Sequence, residues 1–124
     1  MDKKRILIID DEANFTKVVK RNLEVTGKYE VRAENAGSRG IAAAKEFKPN
    51  VILLDIFMPG MDGGEVGYEL GNDGETKNIP IIFLTAAVSK SEMETKSNII
   101  SNHVFVAKPI DIKDLIAVIE KWAR

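Results

Sequence analysis

Five polar residues stand at the ends of four apolar runs. Asp10 and Asp11 follow Ile6-Leu7-Ile8-Ile9, Asp55 follows Val51-Ile52-Leu53-Leu54, Thr85 follows Ile81-Ile82-Phe83-Leu84, and Lys108 follows Val104-Phe105-Val106-Ala107. Brought together, these residues would make an acidic site built from hard oxygen donors. Clustered carboxylates repel and raise one another's pKa unless a cation joins them. Such a set suits Mg²⁺, which keeps several waters and binds through one or two carboxylates plus phosphate. Three carboxylates, Mg²⁺ and the Lys108 ammonium sum to a neutral site. A carboxylate can attack a phosphoryl group to give an aspartyl-phosphate, and the metal and lysine would stabilise charge on the transferring group. Phosphorylation takes one carboxylate from a single negative charge to nearly two. Thr85 and the backbone amide of Ala86 lie where they could donate to the surplus.

Singly, each residue has a plainer explanation. Asp11, or else Asp10, can cap the first helix, and Thr85 a later one. Asp55 can be a loop-entry carboxylate, Lys108 a solvated surface lysine and Pro109 a helix-entry residue. Their placement after four separate apolar runs favours the joint reading.

The elements that must position them alternate regularly. Ile6–Ile9 and Val51–Leu54 read as strands buried on both faces, as central parallel strands are. Phe15, Val18, Val19 and Leu23 recur at helical spacing, and Gly27 stops that helix. Tyr29 to Ala33 reads as a strand near an edge. Ala36, Gly40, Ala43, Ala44 and Phe47 give a small-residue helix face able to pack close to a sheet. Asp62-Gly63-Gly64 can open a third helix with Val66 and Leu70 inside and Gly67 and Gly71 weakening it. Pro80 to Leu84 is a fourth strand. A fourth helix is expected over Ser89 to Asn102, with Met93, Ile99 and Ile100 on its apolar side. Val104 to Ala107 is a fifth strand, and Ile112, Leu115, Ile116, Ile119 and Trp122 mark a final helix. Strand and helix repeated about five times predict a doubly wound parallel α/β sheet. In such a sheet, ligands gather at the carboxyl ends of the strands.

The bulk composition agrees. At 124 residues, 44% hydrophobic and 30% charged, the chain is sized for one globular domain. A net charge of -1 implies no nucleic-acid or anionic-membrane surface. The absence of cysteine excludes disulfides, thiolate metal sites and a cysteine nucleophile. The apolar run before Asp10 is too short for a signal-peptide core or a membrane span, so a cytoplasmic protein is expected. No glycine-rich P-loop, paired-histidine metal motif or Ser-His-Asp arrangement is visible.

With these motifs in hand, the chain resembles a response-regulator receiver domain of two-component signal transduction. The match runs from Ile6 to the final helix. It rests on Asp10-Asp11, on Asp55 with Met58-Pro59-Gly60 and Asp62-Gly63, on Thr85-Ala86 and on Lys108-Pro109. The resemblance implies a single receiver domain over residues 1–124, a flavodoxin-like five-stranded sheet in the order 2-1-3-4-5 and helices on both faces. It implies that Asp55 is the phosphoacceptor, served by a sensor histidine kinase or a histidine phosphotransfer protein. Asp11 would hold Mg²⁺ directly and Asp10 largely through water, with Asp55 and the backbone carbonyl of Phe57. Lys108, in a cis peptide with Pro109, would bind the phosphoryl oxygens. Thr85 would swing toward the phosphate and Phe105 would follow inward, altering the face of the fourth helix, fifth strand and fifth helix toward a downstream target or output domain. From the residues alone, Phe105 is a plain core or edge aromatic.

Some positions depart from the family pattern. Ser101-Asn102-His103 replaces the usual small pair before the fifth strand, and His103 reads as a strand-entry residue. The rim positions Phe57 and Ala87 cannot orient an attacking water, so slow self-dephosphorylation is expected. A haloacid-dehalogenase-type phosphatase would need an aspartate where Phe57 stands, and a flavin carrier would need a phosphate loop where Asp10-Asp11-Glu12 stands. The remaining alternative is a phosphorylation-independent receiver-like interaction module. The chain reads as a phosphorylatable switch, not as an enzyme acting on a separate substrate.

Overall fold

The computed structural model describes residues 3–56, 58, 63–85, 99–100 and 103–124. Strand β1 (Lys4–Ile9) pairs in parallel with β2 (Tyr29–Glu34) on one side and β3 (Val51–Asp55) on the other. β3 pairs in parallel with β4 (Ile81–Thr85), and β4 with β6 (His103–Ala107). These five strands give the expected order 2-1-3-4-5, with β2 at an edge as its weak patterning suggested.

Beyond them the sheet carries an unexpected sixth strand. β5 (Ile99–Ile100) runs antiparallel to β6, with Ile99 opposite Val104 and Ile100 opposite His103. The helix expected over Ser89 to Asn102 is therefore wrong at Ile99 and Ile100, while residues 86–98 and 101–102 lie outside the described residues. Two adjacent apolar residues fit either periodicity. Here the open edge of β6 supplies backbone partners that a helix would not use.

Alternation along the strands sorts side chains into two cores. Ile6, Ile8, Val31, Leu53, Ile82, Leu84 and Val106 face α1 (Ala13–Glu24) and α4 (Ile112–Trp122). Leu7, Ile9, Ile52 and Leu54 face α2 (Gly37–Phe47) and α3 (Gly63–Asn72). In α1 the inward stripe is Phe15, Val19 and Leu23. Val18, assigned to that stripe from its spacing, is 57% exposed. One residue is 100° of helix rotation, enough to carry Val18 off a narrow stripe. On α2, a Cβ at Gly40 would lie 2.5 to 2.9 Å from the Ile9 side chain, so this helix backbone sits directly on the sheet.

Val66 and Leu70 are fully buried on α3 as expected. Gly71 on the same helix would place a Cβ in open space. Gly71→Ala is therefore expected to stabilise the fold by up to about 1 kcal/mol, read as a higher urea midpoint at unchanged slope. α4 is fixed at both ends. Asp111 caps its start by accepting from the Lys113 and Asp114 amides. Past its end, Asn50 accepts the Arg5 N–H at 2.7 Å and donates to the Arg124 carbonyl at 2.8 Å.

Candidate functional site

β3 is buried along its whole length and ends on Asp55, whose side chain is 7% exposed. The ladder continues one step further, with the Ile56 N–H donating to the Leu84 carbonyl at 3.1 Å. At Gly63, the first residue of α3, the chain is back against this strand end and donates its N–H to the Ile56 carbonyl at 2.6 Å. Only glycine fits there. A Cβ on Gly63 would collide with the Asp55 carbonyl oxygen and stand 2.6 Å from the Ile56 Cα.

Asp10 follows β1 and is fully buried, whereas Asp11 is exposed. One Asp10 oxygen accepts the Glu12 N–H at 3.0 Å, and the other accepts from the Lys108 ammonium at 2.7 Å. Asn35, just past β2, donates to the Asp10 carbonyl at 2.7 Å and to the Thr16 hydroxyl at 3.2 Å. That link ties the acidic turn to the neighbouring strand and to α1. One carboxylate oxygen from each of Asp10, Asp11 and Asp55 lies within 4.8 Å of the others.

Lys108 follows β6. Its N–H donates to the Thr85 carbonyl at 2.9 Å, and its peptide bond to Pro109 is cis, as the resemblance implied. Its ammonium also lies 3.3 Å from Glu12, 3.6 Å from Asp55 and 4.5 Å from the centre of the Phe15 ring. Burial by itself pulls this ammonium down. The hydrogen bond and charge of Asp10, then the Asp55 charge and Glu12, outweigh it and hold Lys108 above the ordinary lysine range.

The structure thus brings Asp10, Asp11, Asp55 and Lys108 into one acidic pocket at the carboxyl edge of the sheet. Thr85 is buried at the end of β4, between the strands that deliver Asp55 and Lys108. Phe105 pairs in register with Phe83 on β4, and their rings stack at 5.4 Å. The Ala86 amide and Phe57 carbonyl lie outside the described residues. Three contributors escaped the sequence reading. In the sequence Glu12 reads only as part of an acidic run and Phe15 only as a core position, and Asn35 belongs to none of the motifs. An Asn-Ala-Gly turn after a strand was the available signal for Asn35.

The donor set fits a small divalent cation. Three hard carboxylates converge, and two of their residues are buried while Asp11 faces solvent, leaving an open side for water ligands. Among the described residues no helix is long and apolar enough to cross a membrane.

Comparison with known proteins agrees with this geometry. The family model for the response regulator receiver domain matches residues 6–120. The protein PilH of Pseudomonas aeruginosa is 34% identical over 115 residues, covering 93% of each chain. The DNA-binding dual master transcriptional regulator RpaA of Synechocystis is 33% identical over 122 residues, covering 97% of this chain and 49% of that protein. The chain thus spans about half the length of several curated relatives it matches. Among solved structures, the receiver domain of a Pseudomonas aeruginosa sensor histidine kinase superposes with a TM-score of 0.81 at 25% identity, covering 98% of both chains. That structure holds a magnesium ion coordinated in its active site cleft.

Proposed function

The chain belongs to the response regulator receiver domain family, and on that premise we propose that it is a phosphorylation-activated signalling switch whose phosphoacceptor is Asp55. A carboxylate oxygen of Asp55 attacks the phosphorus of a phosphohistidine on a sensor histidine kinase or histidine phosphotransfer protein. The new O–P bond replaces the P–N bond, and the imidazole leaves with its electron pair. The observation that carries this reading is the Lys108 ammonium, held 3.6 Å from Asp55 and 2.7 Å from Asp10 in a pocket of converging carboxylates. A positive charge so placed can stabilise the equatorial oxygens of the transferring group.

Asp10, Asp11 and Asp55, with the Phe57 carbonyl, would hold Mg²⁺, which when bound neutralises charge on the acidic residues and on the phosphoryl group. The Thr85 hydroxyl and the Ala86 amide donate to the phosphate on Asp55. Phe105 then shifts inward. The face that includes β6 and α4 changes toward a downstream partner or output domain. Two charge-assisted hydrogen bonds are enough to move such an equilibrium by a few kcal/mol. In this reading residues 1–124 form one cytoplasmic receiver domain that assists its own phosphotransfer and has no separate substrate.

The test is incubation with a small acyl-phosphate donor and Mg²⁺, followed by intact mass on wild type and Asp55→Asn. A phosphate-sized gain confined to wild type is expected. An unmodified wild type would instead favour the phosphorylation-independent interaction module. Once formed, the aspartyl-phosphate is expected to decay slowly, because neither Phe57 nor Ala87 can orient water. Rapid loss of phosphate from the purified protein in Mg²⁺, left unchanged by Phe57→Ala, would contradict this.

A further inference from the structure

We propose that Phe15 is a positioning residue for Lys108, its ring face holding the ammonium over the acidic pocket. The inference rests on the reading of Asp55 as phosphoacceptor. Lys108 sits on a flexible four-carbon stem, and such stems ordinarily carry the charge out to water. Here the ammonium stays inside, and the structure supplies two flanking restraints besides Asp10 and Asp55. Glu12 lies 3.3 Å away, but its side chain is 64% exposed, so its hold is weak. The Phe15 ring lies 4.5 Å away and is anchored from behind, being packed against the core shared by α1, α4 and the sheet. The negative face of an aromatic ring attracts a cation at this range. An aliphatic residue of similar size fills the same space without that attraction.

The plain alternative is that Phe15 is only a core aromatic. The two roles separate under conservative substitution. Phe15→Leu and Phe15→Met keep an apolar side chain and remove the ring, whereas Phe15→Tyr keeps the ring face. The first readout is proton NMR of the Lys108 side chain in the metal-free protein. Ring current should shift its Cε protons upfield in wild type and in Phe15→Tyr, and the shift should vanish in Phe15→Leu and Phe15→Met. The second readout is the rate of phosphate uptake from a small acyl-phosphate donor, chosen so that a lost contact between α1 and a protein partner cannot produce the result. Phe15→Leu and Phe15→Met should fall about three- to tenfold, the range expected for one partly shielded cation–π contact. Phe15→Tyr should stay within about twofold of wild type.

Unshifted Lys108 protons in wild type would overturn the proposal. So would uptake at the wild-type rate in the aliphatic variants, or a loss in Phe15→Tyr as large as theirs. If wild type takes no phosphate at all, the Asp55 reading fails, and the NMR shift alone then decides whether Phe15 holds Lys108. That measurement needs only wild type and Phe15→Tyr, so it stands even where an aliphatic variant does not fold.

Discussion

Lys108→Met is expected to slow phosphate uptake by about two orders of magnitude or more while tightening Mg²⁺ binding. Methionine keeps most of the stem and removes the charge. The loss in uptake follows from the geometry. The ammonium is 3.6 Å from Asp55, and removing one preorganised donor to a charge-developing centre costs about 10²- to 10³-fold. The gain in metal affinity follows from the same charge. In wild type the ammonium already satisfies an Asp10 oxygen at 2.7 Å and repels any cation that enters. Two charges about 4 Å apart near a protein surface interact by roughly 4 kcal/mol. Solvent and relaxation consume much of that, so a tightening of roughly tenfold is expected.

Stability responds in the same direction as the charge balance. Without metal, the variant takes from fully buried Asp10 the ammonium that its carboxylate accepts from at 2.7 Å. Breaking a buried pair costs about 3–5 kcal/mol, and the low end applies because the Lys108 side chain keeps 14% of its surface exposed. Urea titrations in a chelator and in Mg²⁺ read the stability, and a metal-binding isotherm reads the affinity. Metal affinity that fell together with uptake would mean that Lys108 organises the ligands and does not compete with the cation.

The outline of this site was legible because its chemistry ends apolar runs. Asp10, Asp55, Thr85 and Lys108 each end a short apolar run that reads as a strand, and parallel topology does the rest. The same logic explains what was not legible. Phe15 lies on a helix and Lys108 follows the last long strand, so their contact depends on how α1 packs beside that strand end, which no local pattern encodes. Val18 shows the complementary error, since helical spacing marks a stripe but not its width. Ile99 and Ile100 show a third. Whether two apolar residues become helix or strand was decided by an unpaired β6 edge reached through the fold, not by their neighbours in the chain. For Asn35 the sequence marks a turn but not its use, which lies in a hydrogen bond to the backbone of Asp10, just past another strand.

Gly63→Ala is the substitution expected to damage the pocket without touching any of its functional groups. The added Cβ meets the Asp55 carbonyl oxygen and falls 2.6 Å from the Ile56 Cα and 2.9 Å from the Asp55 carbonyl carbon. All three are backbone atoms, so no side-chain rotation can relieve the overlap. Either the start of α3 moves, breaking the 2.6 Å hydrogen bond from Gly63 to Ile56, or the Asp55–Ile56 peptide moves. Overpacking of this kind costs about 1–3 kcal/mol and the lost hydrogen bond about 1 more. The second route also carries the Asp55 carboxylate away from Asp10, Asp11 and Lys108. A displacement near 1 Å at a reacting group can cost about 10²-fold in rate, so the folded fraction of Gly63→Ala should take up phosphate at least tenfold more slowly, with weaker Mg²⁺ binding. Gly71→Ala supplies the control, being the same chemical change on the same helix with open space around the new methyl. Opposite signs in the two urea midpoints, with uptake lost in one variant alone, would place the effect at the Asp55 turn and not in the helical propensity of α3. Equal stability and intact uptake in Gly63→Ala would mean that this turn can yield, and that the position of Asp55 is set by the strand before it.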